Sequence, residues 1–598
     1  MEPDDGGWRT IPFKLQLDKP LASHVCLRLL IFLLLSSICF ALICDIYLNK
    51  LVRKDDGMVS REGFACNGPG GLEKYAYLQS SLSGPKYANN VLAFEFFHFE
   101  SSLWPEMELS DSPSDGHIVS DLVRVNGIMT RLTLTLDGRL VWMEAGQRCL
   151  WLEKEVLGFS TEGSCIRIRA AIEFDEVGCC VGPGGGGGRR VVRRVLACET
   201  LSTESFTLWC QKLRDYLYSL GRPKKLLIFL NPFGGKRSAP KVFEDEVKPL
   251  LEDAAIEFDL QETGYQLHAK EIAHTVDLAK YDGIVCVSGD GILVEVINGL
   301  LERDDWKAAI KMPLGMIPAG TGNGMVKSLL DSVGQPCKAF YATLAIIRGH
   351  KRPLDVATIS QEDKKFFSVL MLAWGLIADI DIESEKYRWM GIARLDFYAL
   401  QRILHLRRYE GRISFVPAPG YEIHGEPASF SAEWAAPSQD HGEEQVDVLC
   451  SGYQGPKIKL EELSWRTIDG PFVSIWLHNV PWGSENTMAA PNAKFSDGYI
   501  DLIAIQDCPR LSLLSLMTEM DKGGHVKSPH VRYLKVKTLV LEPGPRTDNP
   551  AKEGIIDTDG EVLARGKGAY KSDQETFMAY GRLQVTVDQG LATLFSPK

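Results

Sequence analysis

From residue 222 onward the apolar positions gather in short unbroken runs. Each ends at a glycine-rich turn and is followed by apolar residues at helical spacing. Residues 225–230 (Lys-Leu-Leu-Ile-Phe-Leu) run into Asn231-Pro232-Phe233-Gly234-Gly235-Lys236, then into a helix with Val242, Phe243, Val247, Leu250 and Leu251 on one face. Residues 285–288 close a β-branched run at Ser288-Gly289-Asp290-Gly291, and helical spacing starts at once. Residues 313–318 lead into Ala319-Gly320-Thr321-Gly322-Asn323-Gly324. Apolar runs alternating with helices predict an α/β domain with a parallel sheet.

The flanking regions read differently. Between 121 and 220 the apolar and polar positions alternate, as in Thr130-Arg131-Leu132-Thr133-Leu134-Thr135-Leu136, with an Asp137-Gly138 turn, which predicts hairpins. They are followed over 204–220 by a helix whose Phe206, Trp209, Cys210, Leu213, Tyr216, Leu217 and Leu220 share one face. Strands closed by one Trp-bearing helix resemble a pleckstrin-homology-type module. Beyond residue 354 the runs at 366–372, 473–477, 499–505, 534–541 and 583–587 predict strands, with Asp-Gly turns at 469 and 497. We expect there a β-sandwich domain with an apolar pocket for a ligand tail, the nucleotide lying in the cleft before it. A helix over 392–406 either covers that pocket or is core. Residues 417–455, rich in Pro, Ser and acids, are expected to form a mobile loop.

The predicted division is therefore an extension over 1–106, a pleckstrin-homology-like β module over 107–221, an α/β nucleotide-binding domain over 222–355 and a β-rich sandwich domain over 356–598. The extension holds sixteen uncharged residues at 29–44, or a segment of 29–48 if it continues across Asp45. A spanning helix wants about 20 apolar residues. A membrane anchor, a cleaved leader and a segment without stable fold all stay open on length alone. Met107, just before a polar stretch, is an alternative start.

The net charge of −12 in 598 residues argues against a nucleic-acid binder. Fourteen cysteines without C-x-x-C or zinc spacing read as reduced thiols. A glycine run at 184–188 followed by Arg189, Arg190, Arg193 and Arg194 suits either a solvated loop or contact with anionic lipid at a membrane surface.

The three glycine loops carry the chemistry. Gly234 and Gly235 let backbone N–H groups approach an anion and Lys236 adds charge, although the G-x-x-x-x-G-K-[ST] spacing of a Walker A loop is absent. Asp290, between two glycines at the start of a helix, reads as an exposed carboxylate at the positive end of a dipole, which suits phosphate chemistry.

Asn-Pro-x-Gly-Gly-Lys at 231–236, Ser-Gly-Asp-Gly at 288–291 and Pro-Ala-Gly-Thr-Gly-Asn at 318–323 resemble, in this order, the catalytic domain of the diacylglycerol kinase and sphingosine kinase superfamily. Ser288, Ile292, Ala319 and Gly324 depart from the diacylglycerol kinase pattern. Residues 373–395 (Ala-Trp-Gly-Leu-Ile-Ala-Asp-Ile-Asp-Ile-Glu-Ser-Glu-Lys-Tyr-Arg-Trp-Met-Gly-Ile-Ala-Arg-Leu) resemble the segment peculiar to sphingosine kinases. The layout is similar to plant long-chain-base kinases.

The resemblance implies an ATP-dependent kinase that phosphorylates the primary hydroxyl of sphingoid-base lipids, with Asp290 as general base. It places Asn231, Pro232, Phe233, Gly234, Gly235, Lys236, Thr263, Ser288, Gly289, Gly291, Glu295, Gly320, Thr321, Gly322 and Asn323 around ATP. Phe233 departs from the basic residue some relatives carry. The resemblance also implies Asp381, with Asp379 and Glu385 near it, at the amine head of the lipid, where a carboxylate suits a cation. Arg388 and Arg394 are candidates for the transferring phosphoryl group. The stretch Asp559-Gly560-Glu561 resembles the late acidic motif facing the nucleotide and its Mg²⁺. A diacylglycerol or ceramide kinase, and a membrane-bound scaffold with an inactive kinase fold, are the competing readings.

Overall fold

The computed structural model describes residues 116–175, 189–235, 237–391, 393–429, 452–571 and 576–598. The hydrophobic run at 29–48, the alternative start at Met107, the glycine run at 184–188, Lys236 and most of the expected mobile loop lie outside the described residues. Among the described residues no helix is long and apolar enough to cross a membrane, and the seven described cysteines are all free.

Seven antiparallel strands between His117 and Thr200 form a β module, ordered fourth, third, second, first, seventh, sixth, fifth. The alternating apolar residues bury Leu132, Leu134, Ile166 and Ile168 on one face. Helix α1 (Thr203–Ser219) closes that face with Trp209, Cys210 and Leu213 buried, and Ser202 caps its start by accepting a 3.2 Å bond from the Ser205 N–H. The module is bonded to the α/β domain. Arg222 donates to the carbonyls of Leu152, Glu153, Val156 and Leu157 at 2.7–3.1 Å. Arg193 donates to Asp253 (2.8 Å through Nε) and to the Pro249 carbonyl. Arg193, one of the arginines read as either solvated or facing anionic lipid, thus bonds the neighbouring domain while its side chain stays exposed.

The next four strands are β1 (Lys225–Leu230), β2 (Glu257–Glu262), β3 (Gly283–Ser288) and β4 (Leu314–Pro318), all parallel and in the order β2-β1-β3-β4. Strand β2 escapes the sequence pattern because Glu-Phe-Asp-Leu-Gln-Glu is largely polar. It can be so because it lies at the sheet edge. Helices α2 (Asp290–Leu301) and α3 (Gly324–Asp331) follow β3 and β4. The order reverses between β1 and β3, and in open α/β sheets the crevice at the carboxyl ends of such strands is where ligands bind. The loops after β1, β3 and β4 all open there.

The β domain contains β5 (Lys351–Gln361), β6 (Met371–Gly375), β7 (Ser474–His478), β8 (Ile500–Ile505), β9 (Arg532–Arg546), β10 (Ile555–Thr558), β11 (Glu561–Arg565) and β12 (Leu583–Phe595). Its main path runs β11-β10-β6-β7-β8-β9-β12. The last strand joins the two sheets: β12 pairs antiparallel with β5 and β9, and its Leu594 meets Leu314 of β4 in parallel. The run at 366–372 is two strands rather than one, Lys364–Ser368 and then β6. The break arises because the N–H groups of Val369, Leu370 and Met371 bond to the Asp559 carboxylate instead of a neighbouring strand. Helices α4 (Leu376–Glu383) and α5 (Ala393–Leu404) follow β6. Helix α5 is core on one side, through Tyr398, Ala399 and Ile403, and open on the other, through Phe397 and Leu404.

Candidate active site

The three glycine loops meet backbone to backbone. A Cβ on Gly320 would fall 2.2 Å from the Gly289 Cα, and one on Gly235 would fall 3.0 Å from the Gly320 carbonyl carbon. Only glycine permits that approach, which concentrates the N–H groups of three loops in one place. The first loop is shaped by Asn231, whose Oδ1 accepts from the N–H groups of Phe233 (3.0 Å) and Gly234 (3.1 Å). Pro232 is half-buried beside it, and the Phe233 ring is exposed. The third loop is shaped by Asn323, at φ +58°, whose Oδ1 accepts from the Gly320 N–H and whose Nδ2 donates to Glu485 at 2.6 Å. Thr321 and Gly322 stay half-buried in the mouth. Ser288 and Thr263 are buried, and the Thr263 N–H donates to the Leu230 carbonyl, tying the ends of β1 and β2.

Asp290 is buried, not exposed as expected. The third loop folds over it: Gly324 N–H donates to Oδ2 at 2.8 Å and Met325 N–H to Oδ1 at 3.0 Å. The carboxylate thus lies at the start of its own helix α2 and caps α3 as well. Burial raises its pKa above the ordinary carboxylate value, opposed by the N–H bonds of α3. Two fixed helix dipoles favour its charged form against that burial. Gly322 packs against the carboxylate, since a Cβ there would come 3.4 Å from Oδ2.

Glu295, one turn further along α2, accepts from the Ala269 N–H at 3.1 Å and so caps the helix His268–Thr275. Burial raises its pKa despite those bonds.

The acidic residues separate into two sets. Asp379 and Asp381 sit two positions apart on α4, hence about 200° apart around it. Asp379 faces the core, where Arg407 reaches it at 3.1 Å and Tyr409 donates its hydroxyl at 2.7 Å. Burial lifts Asp379 to about 6 even so. Asp379 therefore does not stand beside Asp381 as expected, because the segment is helical and its two aspartates point to opposite sides.

Asp381 looks the other way, toward Asp557 and Arg394. Glu385 lies 3.7 Å from Arg394 and 3.4 Å from the exposed Arg388. Arg394 is buried, and its Nη1 has no hydrogen-bond partner among the described residues.

Asp559, at φ +54°, is taken up by its own turn: Leu370 and Met371 donate to Oδ1 at 2.9 and 2.7 Å, and Val369 to Oδ2 at 3.3 Å. Gly560, at φ +86°, turns the chain so that Glu561 faces the first turn of α2. Glu561 Oε1 would lie 3.6 Å from a Cβ on Gly291, and Oε2 accepts from Gln266 at 2.8 Å. Burial, then the charges of Glu295, Glu385 and Asp381, push Glu561 up to about 7. Burial together with these like charges disfavours ionisation of the group.

The turn at Asp290, the cradle of three glycine loops and the carboxylate group are therefore contiguous. A cavity of about 510 Å³, lined by Asp331, Arg352, Trp482 and Phe495 among others, includes none of the predicted site residues.

Residues 225–359 match the diacylglycerol kinase catalytic domain, and residues 467–571 match the YegS C-terminal NAD kinase beta sandwich-like domain. Sphingosine kinase 1 of Arabidopsis thaliana is 60% identical over 494 residues, covering 83% of this chain and 99% of that protein. The chain belongs to the sphingosine kinase family. Sphingosine kinase 2 of Arabidopsis thaliana is 61% identical over 487 residues, 81% of this chain and 98% of that protein. Sphingosine kinase 1 of Homo sapiens is 34% identical over 359 residues, 58% of this chain and 87% of that protein.

Within this sphingosine kinase frame three residues escaped sequence reading. Glu485 braces the third loop from the β domain, Arg407 anchors α4, and Asp557 lies buried beside Asp381. Only Asp557 left a trace, as a charged residue in an otherwise apolar strand, Ile555-Ile556-Asp557-Thr558.

Proposed function

We infer that the protein is an ATP-dependent sphingoid-base kinase, which transfers the γ-phosphoryl group to the primary hydroxyl of a long-chain amino alcohol. The observation that carries this reading is 60% identity across 99% of a sphingosine kinase, with the three glycine loops converging on Asp290.

Phosphoryl transfer asks for positioning, charge neutralisation and a proton acceptor. Asp290 takes the hydroxyl proton as the oxygen attacks phosphorus. The N–H groups of Gly235, Gly289, Thr321 and Gly322 cradle the phosphates, and Asn231 and Asn323 hold the loops that present them. Lys236 would add charge at the first loop. Arg388, exposed, and Arg394, buried 3.7 Å from Glu385, are the two cations offered to the transferring group.

Mg²⁺ would be held by Glu561 together with ATP phosphates, where it would neutralise charge on them. Asp559 is not available for this, since both its oxygens accept backbone bonds. Among the described residues no three metal-ligating side chains are grouped, which fits a cation carried largely by phosphates.

Asp381 receives the protonated amine of the lipid. Loss of a hydrogen bond to a charged group is worth about 1.5–3 kcal/mol. Asp381→Ala should thus raise the KM for sphingoid base about 10- to 100-fold and leave that for ATP unchanged. A panel of sphingoid base, diacylglycerol and ceramide with labelled ATP tests substrate class and variant together. Preference for either of the last two, or equal changes in both KM values, would overturn the assignment.

A membrane face suits a kinase with a lipid substrate. Trp389 is 83% exposed and Phe397 41% exposed, the latter packed edge-on against Tyr387, with Lys386 and Arg388 alongside. An exposed aromatic set rimmed by cations fits an anionic lipid surface. Replacing Trp389 and Phe397 together by Ala should weaken flotation with phosphatidylserine-containing vesicles by about tenfold. Unchanged flotation would refute the face. The β module, with its strand order and single closing helix, is read as pleckstrin-homology-like, and its Arg193, bonded to the neighbouring domain, makes it a docking element for the kinase rather than a lipid reader.

A further inference from the structure

Asp557 has no role in this phosphoryl transfer, yet its position is costly. It lies in β10 with no accessible surface, and among the described residues no N–H or O–H donor reaches either of its oxygens. A buried carboxylate left in that state is strongly unfavourable, so such groups are hydrogen-bonded, neutral or tied to function. What it does touch is another acid, Asp381 on α4. Its neighbour in register on β6 is Ala373, which brings no charge. The charged groups facing the pair are Asp559 and Glu561 from the following turn and strand, and Arg394 opposite Asp381. With carboxylates on three sides and one Arg beyond Asp381, two acids in contact cannot both be ionised, and one proton must lie between them.

Burial decides where that proton resides. Asp381 is half-buried and has Arg394 beside it, so it carries the charge; Asp557 is fully enclosed and surrounded by acids, so it is the neutral partner. A neutral carboxylic acid is a donor, which Asp557 in its ionised form could not be.

We propose that Asp557 is a positioning residue for the lipid head group: as a neutral acid it donates a hydrogen bond to one oxygen of Asp381 and leaves the other oxygen aimed at the ammonium of the substrate. The proposal rests on the reading of Asp381 as the amine site. It makes Asp557 act through Asp381 and not on the substrate, because a group with no accessible surface cannot meet a ligand. Asp381 then offers one fixed oxygen, which favours a primary ammonium over an acylated nitrogen lacking positive charge.

The test is steady-state kinetics with a sphingoid base and ATP. Asp557→Ala should raise the lipid KM about five- to twentyfold, less than loss of Asp381 itself because the carboxylate that meets the amine is still present, with KM for ATP unchanged. Asp557→Asn, which donates an N–H from the same position, should return to within about twofold of the parent. In an Asp381→Ala background the Asp557 substitutions should add nothing further. Where Asp557→Ala does not fold, Asp557→Val fills the space without a donor and is expected to match its kinetics.

An unmoved lipid KM, equal shifts for lipid and ATP, an Asn variant no better than Ala or Val, or additive effects with Asp381→Ala would each overturn the proposal. The underlying reading fails separately: there, the parent enzyme would not phosphorylate sphingoid bases, or Asp381→Ala itself would leave the lipid KM unmoved.

Discussion

Asp290→Asn is expected to lower kcat by about 10²- to 10⁴-fold, the range associated with removing a general base from a proton transfer. The side chain also caps α3, so a loss of activity needs to be separated from a loss of structure. Asn retains one acceptor oxygen and can keep one of the two bonds from Gly324 and Met325. The stability cost should therefore be about 1 kcal/mol, the value of a single cap. The variant should remain folded by circular dichroism and should bind ATP within about threefold of the parent, since the loop N–H groups that hold phosphate are unchanged.

The pH profile gives the second signature. A base works only when ionised, so activity should fall as pH drops through the Asp290 pKa. Because burial outweighs the two helix N–H groups, that limb lies above the ordinary carboxylate value. It should be missing from the residual activity of the Asn variant. Full turnover in the variant would leave Asp290 as a helix cap only.

The parallel strands and their glycine loops were legible because strict chemical demands leave a local record. A strand buried on both faces needs an unbroken apolar run, as in 225–230, and a backbone contact such as Gly289 against Gly320 forbids any side chain. What the sequence hid were relations between distant segments. Asp290 reads as exposed until Gly324 and Met325, over thirty residues later, close over it. Asp559 reads as a nucleotide-side acid until it meets the N–H groups of residues 369–371, almost two hundred residues earlier. Strand β2 was missed for the opposite reason, since an edge strand needs little apolar surface.

The same limit explains Asp379. As long as the segment after Gly375 could be a strand end, Asp379 and Asp381 were interchangeable neighbours. Once it is a helix, they divide the labour: one side of α4 carries the proposed amine site and the other is fastened to the core.

That fastening should be the most stability-critical polar contact near the site. Arg407 reaches Asp379 at 3.1 Å and Glu383 at 2.6 Å, and both acids are almost inaccessible, at 1% and 4%. Tyr409 and Tyr398 donate their hydroxyls to the same two carboxylates. Replacing Arg407 by Leu leaves two acids buried without their main cation, and breaking such a pair from one side destabilises by about 3–5 kcal/mol, a large part of the 5–15 kcal/mol that holds a typical domain together.

The sign of the pH effect follows from the protonation states. In the parent, Arg407 holds Glu383 below its ordinary value and opposes the burial that raises Asp379 to about 6. Without Arg407 burial is opposed only by the tyrosine hydroxyls and the more distant Arg402, and both acids are expected to titrate above their unfolded values. The folded variant then binds protons more tightly than the unfolded chain, so its stability falls as pH rises from the unfolded pKa to the folded one. The deficit should be greatest near pH 8 and shrink toward pH 5. Urea midpoints at the two pH values check this, and a deficit that is independent of pH would mean that packing, not charge, holds the helix. Substituting Asp379, Glu383, Arg402 and Arg407 together by Leu should recover part of the loss, because Arg402, buried 4.0 Å from Asp379, would otherwise be left as an unpaired charge. That variant is expected to keep its lipid KM if fastening alone is what Asp379 contributes, and to lose it if Asp379 also meets the substrate.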